Sequence, residues 1–135
     1  MQALVYTLRM TKGQIEAVIS TALTQFEREV LGRGPRVTRT YILHDMVIVR
    51  LHGVLTPGEK QLAKEPGGVA LIKELRTRLV ESFQTDLRHI VEHHTGHAVL
   101  SMHTDISTLT GERLLVFEMA ADLEHLTSQD ATPSH

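Results

Sequence analysis

At 135 residues, with 41% hydrophobic and 22% charged positions, the chain has the size and composition of one globular domain with a buried core. A formal net charge of -2, 4% aromatic residues and no Trp supply neither the electrostatic drive nor the stacking platforms for nucleic acid, so no nucleic-acid partner is expected. The absence of Cys excludes disulfides, thiolate metal sites and cysteine nucleophiles. No apolar run approaches the roughly 20 residues of a membrane span, and MQALVYTLRM lacks the charged region and cleavage site of a signal peptide. A cytoplasmic protein with no direct membrane insertion is expected.

Residues 1–10 read as an N-terminal extension. In TKGQIEAVISTALTQFEREVLGRGP, Thr11 and Gln14 form a capping box. Ile15, Val18, Ile19, Ala22, Leu23, Phe26 and Val30 then recur at helical spacing. Gly32 suits a left-handed helix stop, and Pro35 bars continuation. RVTRTYILHDMVIVRLHGVL follows as two β-rich runs joined at His44-Asp45. A two-residue turn sets Leu43 opposite Met46, Tyr41 opposite Ile48 and Arg39 opposite Arg50. Thr38, Thr40, Ile42, Val47, Val49 and Leu51 then face the core.

Thr56, Pro57 and Glu59 start a short helix, which Pro66-Gly67-Gly68 interrupts. One long helix is expected from about Val69 to Thr95, with Ile72, Leu75, Leu79, Phe83, Leu87 and Ile90 as its apolar stripe and Gly96 as its stop. A second hairpin covers about Ala98 to Met119, turning in STLTG. Residues 121–135 have no period and read as a disordered tail. The expected fold class is therefore α+β: two αββ halves, within residues 11–120, forming a four-stranded antiparallel sheet with helices packed on one face.

The second hairpin carries the polar residues. Pairing Ile106 with Glu112 sets Asp105 opposite Arg113, His103 opposite Leu115 and Ser101 opposite Phe117. That face also holds the apolar Val99, Leu115, Phe117 and Met119, so something is expected to cover it. A second copy of the chain is the leading cover and ALVYTL near the N-terminus the alternative. Tyr41, Leu115 and Phe117 are the interface candidates. Ser101, His103 and Asp105 have the residue types of a hydrolase triad, but one straight strand presents such a nucleophile badly and no nucleophile elbow accompanies it. No catalytic residue is assigned. The plainer reading is a hydrogen-bonded row with an Asp105–Arg113 cross-strand pair.

Arg39 opposite Arg50 places like charges together, which needs a carboxylate, from Asp105 or Glu118, or a bound anion between them. Arg39, Arg50, His103, Asp105 and Arg113 are accordingly the candidate anion-binding or interface residues. His89 and His93 have a spacing that can share zinc, but no third ligand is fixed by pattern. His93, His94 and His97 suit a helix C-terminus equally well. No metal and no cofactor are assigned.

The stretches LGRGPRVTRTYILHDMVIVRLHGVLTPGEKQLA and SMHTDISTLTGERLLVFEM resemble the small MpsC-type family. The markers are Gly32-Arg33-Gly34-Pro35, Arg39-Thr40-Tyr41, Leu55-Thr56-Pro57 with Glu59-Lys60, His103-x-Asp105-x-Ser107, and Thr110-Gly111-Glu112-Arg113, spread over about residues 11–119. The resemblance implies a small soluble companion of membrane and large partner subunits, in a sodium-translocating membrane-potential-generating system linked to ion or inorganic-carbon uptake. It carries over no catalytic residues. The leading expectation is a non-enzymatic cytoplasmic accessory or regulatory domain, a homodimer with membrane-transport subunits of an Mps-type system as partners. A small-anion sensor for bicarbonate, phosphate or a nucleotide, using the sheet-face arginines, is the alternative. An esterase-like hydrolase ranks below both.

Overall fold

Both capping boxes close as the sequence predicts. In the computed structural model, which describes residues 10–124, the Thr11 hydroxyl accepts from the Gln14 amide while the Gln14 side chain accepts from the Thr11 amide. They start helix α1 (Lys12–Leu31), and Gly32 ends it in the left-handed conformation at φ 77°. Strands β1 (Val37–Leu43) and β2 (Met46–His52) follow in the predicted register, with Arg39 paired to Arg50, Tyr41 to Ile48 and Leu43 to Met46. Thr40, Ile42, Val47, Val49 and Leu51 are buried beneath the helices. There the hydroxyls of Ser20 and Thr24 on α1 meet those of Thr40 and Thr38, each at 2.7 Å, so the polar groups of this layer are paired rather than stranded.

Thr56, Pro57 and Glu59 start α2 (Pro57–Leu62). The single long helix expected after it is two, α3 (Gly68–Ser82) and α4 (Gln84–Thr95). They are broken at Phe83, where φ is -106° and ψ 13°. The Phe83 amide is shared between the Leu79 and Val80 carbonyls, and its ring stands edge to face against Phe26, 5.7 Å between centroids. Gly68, Ile72, Arg76 and Val80 are the buried residues along α3, whereas Leu75, expected on that stripe, is 53% exposed. At the start of α3 a Cβ on Gly68 would lie 1.8 Å from the Leu62 carbonyl oxygen, so only glycine permits this approach of α2 to α3.

Strands β3 (Val99–Ile106) and β4 (Arg113–Met119) complete an open antiparallel sheet of order β1-β2-β4-β3. The α+β class and the two αββ halves hold. The register of the second hairpin does not. Ile106 pairs with Arg113 rather than Glu112, Asp105 with Leu114, His103 with Val116 and Ser101 with Glu118. The loop explains the slip: the Ser107 amide donates to the Glu112 carbonyl, and Gly111, at φ 71°, donates to the Ser107 carbonyl. Ser107 and Glu112 thus take the rung assigned to Ile106 and Glu112. A one-residue slip turns a strand over. Arg113, Leu115, Phe117 and Met119 are therefore buried under the helices, and Leu114, Val116 and Glu118 face outward. A bulge between Val99 and Ser101 lets Val99 stay in the core while Leu100 is exposed.

The packed body also runs past residue 120. Leu123 is buried, and its amide donates to the His44 carbonyl at 2.8 Å. Most of the expected extension (including ALVYTL) and the tail from residue 125 on lie outside the described residues.

Candidate functional site

The uncovered face of the sheet is the first candidate, and its residues stand in three rows. Arg39, Arg50, Leu114 and Asp105 form one row across β1, β2, β4 and β3. Tyr41, Ile48, Val116 and His103 form the next, and Leu43, Met46, Glu118 and Ser101 the third. Tyr41, Leu43 and Leu114 are exposed, and Ile48, Val116 and Met46 are half-buried. The middle of the face is apolar, its β1 edge basic, its β3 edge acidic and hydroxylic.

On this face Ser101, His103 and Asp105 form no relay. Ser101 Oγ donates to Glu118 Oε1 at 2.9 Å and lies 3.4 Å from His103 Nε2. Asp105 is drawn away from His103, its carboxylate accepting from the Ile106 amide at 2.8 Å and pairing with Lys73 Nζ at 3.1 Å. Those two contacts, the amide first, hold its pKa below the ordinary carboxylate value. The expected Asp105–Arg113 pair does not form across the strands, because Arg113 lies on the covered face. The opposed arginines find a carboxylate neither in Asp105 nor in Glu118 but in Glu112, whose Oε2 accepts from Arg50 Nε at 2.8 Å and lies 3.3 Å from His52 Nε2. Arg39 has no such partner among the described residues. Of the predicted site residues, Arg39, Tyr41, Arg50, His103 and Asp105 share the open face. Arg113, Leu115 and Phe117 sit in the core, so the last two cannot present an interface and the three arginines do not converge on one anion.

A second candidate lies on the helix side of the sheet; of its residues the sequence singled out Arg113, for the other face, and Glu59, as a helix cap, but neither Glu27 nor Arg76. The α1 stripe Ile15, Ile19, Leu23 continues to Glu27, the α3 stripe contains Arg76, and Arg113 begins β4. All three are at most 8% exposed. Arg76 Nε donates to Glu59 Oε2 at 2.9 Å, and its Nη2 donates to Glu59 Oε1 and, at 2.9 Å, to the Val54 carbonyl. Glu59 therefore serves the α2 cap and a buried guanidinium at once. Burial alone would raise its pKa, but the bonds from Arg76 and Thr56 outweigh burial and lower it. Glu27 has no hydrogen bond among the described residues. Burial raises its pKa, against the attraction of Arg113 and Arg76. Arg113 Nη1 donates to Thr104 Oγ1 at 3.3 Å, while Nε and Nη2 are buried without a hydrogen-bond partner among the described residues.

The signal for this layer was in the sequence: one charge each on the extended apolar stripes of α1 and α3. A charged residue at a core position reads as an error of phase until its partners are known. Beside these groups a cavity of about 180 Å³ opens between α1, the Arg33–Pro35 turn, the approach to α2, and α3. Glu27, Arg33, Thr56, Glu59 and Arg76 line it together with Leu31, Val54 and Leu79. At the far end of α4, His93 and His94 stand edge to face at 4.9 Å. Among the described residues no three His, Asp or Glu side chains gather as a metal site, and no helix is long and apolar enough to cross a membrane.

Comparison with known proteins places this geometry. Residues 11–121 match the MpsC family, described as a Na+-translocating membrane potential-generating system, and the chain belongs to that family. It is 45% identical over 117 residues to the uncharacterized protein YbcI of Bacillus subtilis (strain 168), across 87% of this chain and 94% of YbcI. No solved structure matches it significantly. Two of the stretches that carry the family resemblance, Gly32–Pro35 and Leu55–Lys60, contribute Arg33 and Pro35, and Thr56 and Glu59, to the cavity wall.

Proposed function

We propose that this protein is a non-enzymatic cytoplasmic accessory or regulatory domain of a membrane-potential-generating or ion-uptake assembly, acting as a homodimer joined through the open sheet face. The observation that carries the dimer is the basic and acidic ends of the Arg39–Asp105 row together with the apolar middle of the Tyr41–His103 row. A twofold axis parallel to the strands lays β1 of one copy over β3 of the other and β2 over β4, leaving each row opposite itself. Arg39 then meets the partner's Asp105, and Ile48 meets the partner's Val116 at the apolar centre. The basic edge of each copy faces the acidic edge of the other, as a specific interface requires. Family membership supports the larger assembly, and the cavity on the helix side stays clear of this interface.

Light scattering of the purified chain is expected to give twice the monomer mass. Ile48→Lys should give a folded monomer. Arg39→Asp and Asp105→Arg should each weaken the dimer, and combining them should restore it. A monomeric parent at high concentration, or a charge swap that restores nothing, overturns the dimer. The accessory role is checked by pull-down from gently solubilised native membranes, where an integral membrane transport subunit is expected in the captured material. Recovery of this chain alone overturns that role.

A further inference from the structure

We propose that the cavity between α1 and α3 binds a small aliphatic monocarboxylate, its carboxylate clasped by Arg33 and Arg76 and its hydrocarbon end against Leu31 and Leu79. The reading is independent of the open sheet face and of the assembly role. It begins with unspent donors. Arg76 uses Nε and Nη2 on Glu59 and Val54, but Nη1 has no hydrogen bond among the described residues, although the side chain lines the cavity. Arg33, at the cavity mouth, is exposed and its side chain makes no ion pair or hydrogen bond among the described residues. Two guanidinium groups with free donors converging on one concavity suit a planar oxygen pair.

Charge gives the sign of the ligand. In the wall Arg33 and Arg76 stand against Glu27 and Glu59, and Arg113, outside the wall but near enough to attract Glu27, tips the surroundings to a positive excess even with both acids ionised. The two acidic side chains in the wall nevertheless disfavour a dianion such as phosphate, because a second negative charge would face them at low dielectric. No glycine-rich phosphate cradle follows a strand here. Size and lining set the rest. The cavity, about 180 Å³, is smaller than the roughly 300–1,000 Å³ of drug-sized sites, and its leucine walls favour a short hydrocarbon over a second polar group.

The test measures thermal unfolding of the full chain with sodium butyrate, disodium succinate, sodium phosphate and sodium chloride at matched ionic strength, beside a nitrogen–proton spectrum of the arginine Nε groups. Butyrate is expected to raise Tm along a saturable curve and to move the Arg33 and Arg76 signals. Arg33→Gln, at an exposed position, should fold like the parent and weaken butyrate binding roughly tenfold, the worth of one charge-assisted hydrogen bond. Arg78→Gln, at an exposed position outside the cavity wall, should leave binding intact. An equal effect of chloride reduces the stabilisation to screening and overturns the proposal. A stronger effect of succinate or phosphate overturns the monocarboxylate assignment. A butyrate effect that survives Arg33→Gln overturns the site, and no butyrate effect at all overturns binding.

Discussion

The two hairpins occupy equivalent places in the two αββ halves, yet their cores are built differently. The β1–β2 hairpin turns in two residues and buries aliphatic side chains and Thr40, with Thr38 half-buried beside it, and α1 satisfies both threonines hydroxyl to hydroxyl. The β3–β4 hairpin turns through a longer loop and buries Phe117 and Met119 together with a charged Arg113. The first half closes its core with local polar pairs, whereas the second sends a guanidinium into a layer shared with α1, α2 and α3. The difference is one of reach: the first hairpin can be understood from its own residues and α1, the second only from the whole molecule.

The sharpest way to break this comparison is to reverse the register of the second hairpin. If Phe117 faced outward, truncating it would cost little. In the observed register Phe117→Ala empties a fully buried site and is expected to cost about 3–5 kcal/mol. Val116→Ala, one position away on the open face, should cost about 1 kcal/mol or less. Urea denaturation of both variants, at concentrations where light scattering finds monomer, measures the two. Equal losses would mean that β4 is not turned as described.

Next in size is the contact that ties the second half together. Glu59→Gln leaves Arg76 buried beside a neutral amide and is expected to cost about 3 kcal/mol at neutral pH. The sign with pH follows from the lowered pKa of Glu59. Its stabilisation is complete above the ordinary glutamate value and disappears as pH falls through the depressed folded value. The gap between parent and Glu59→Gln should therefore be widest at neutral pH and narrow in acid. A gap independent of pH would assign the loss to the α2 cap alone.

The same contrast explains how far the sequence could be read. Both capping boxes, the glycine stops at Gly32 and Gly96, and the β1–β2 register are local signals, each decided within a few residues, and all appear in the fold. The β3–β4 register failed because a six-residue loop leaves the closing pair open. Apolar residues on both faces of β4 also removed the alternation that would have chosen between registers. The helix break at Phe83 failed for a related reason: the stripe stays helical in period on either side, and the break follows from Phe83 docking on Phe26. The open face was legible as an apolar, polar-edged surface, though its β4 members were assigned one residue out of phase. The ionic layer was legible only as two stray charges on the stripes of α1 and α3. Glu27, Glu59, Arg76 and Arg113 come from four elements, and only the packed molecule brings them together.

Glu27→Gln sharpens the comparison from the other side, since it removes a charge from that layer without removing its volume. Burial raises the pKa of Glu27 despite the pull of Arg113 and Arg76. The penalty for ionising it is absent below the ordinary glutamate value and complete above the raised folded value. Glu27→Gln is therefore expected to raise Tm at neutral pH, with the gain vanishing as the parent is acidified. A loss of stability at neutral pH would make Glu27 a net partner of Arg113, and the layer a set of closed pairs like the hydroxyls of the first half.

The smallest effect lies in the first hairpin's own turn. His44 adopts φ 55°, a conformation in which its Cβ crowds the backbone at a cost of about 1–2 kcal/mol. Its imidazole returns little of that: Nδ1 lies 3.5 Å from Glu124 and 3.8 Å from Asp122, and the side chain is 70% exposed. The contacts that bind this turn to the C-terminal segment run through the backbone, where the His44 amide donates to Glu124 at 2.7 Å and its carbonyl accepts from Leu123. Glycine keeps both and relieves the crowding, while adding freedom to the unfolded chain. The expected net is a gain of about 0.5 kcal/mol, measured by urea denaturation. A loss instead would show that the imidazole's ion pairs outweigh the strain, making even the more local hairpin depend on a partner some 80 residues away.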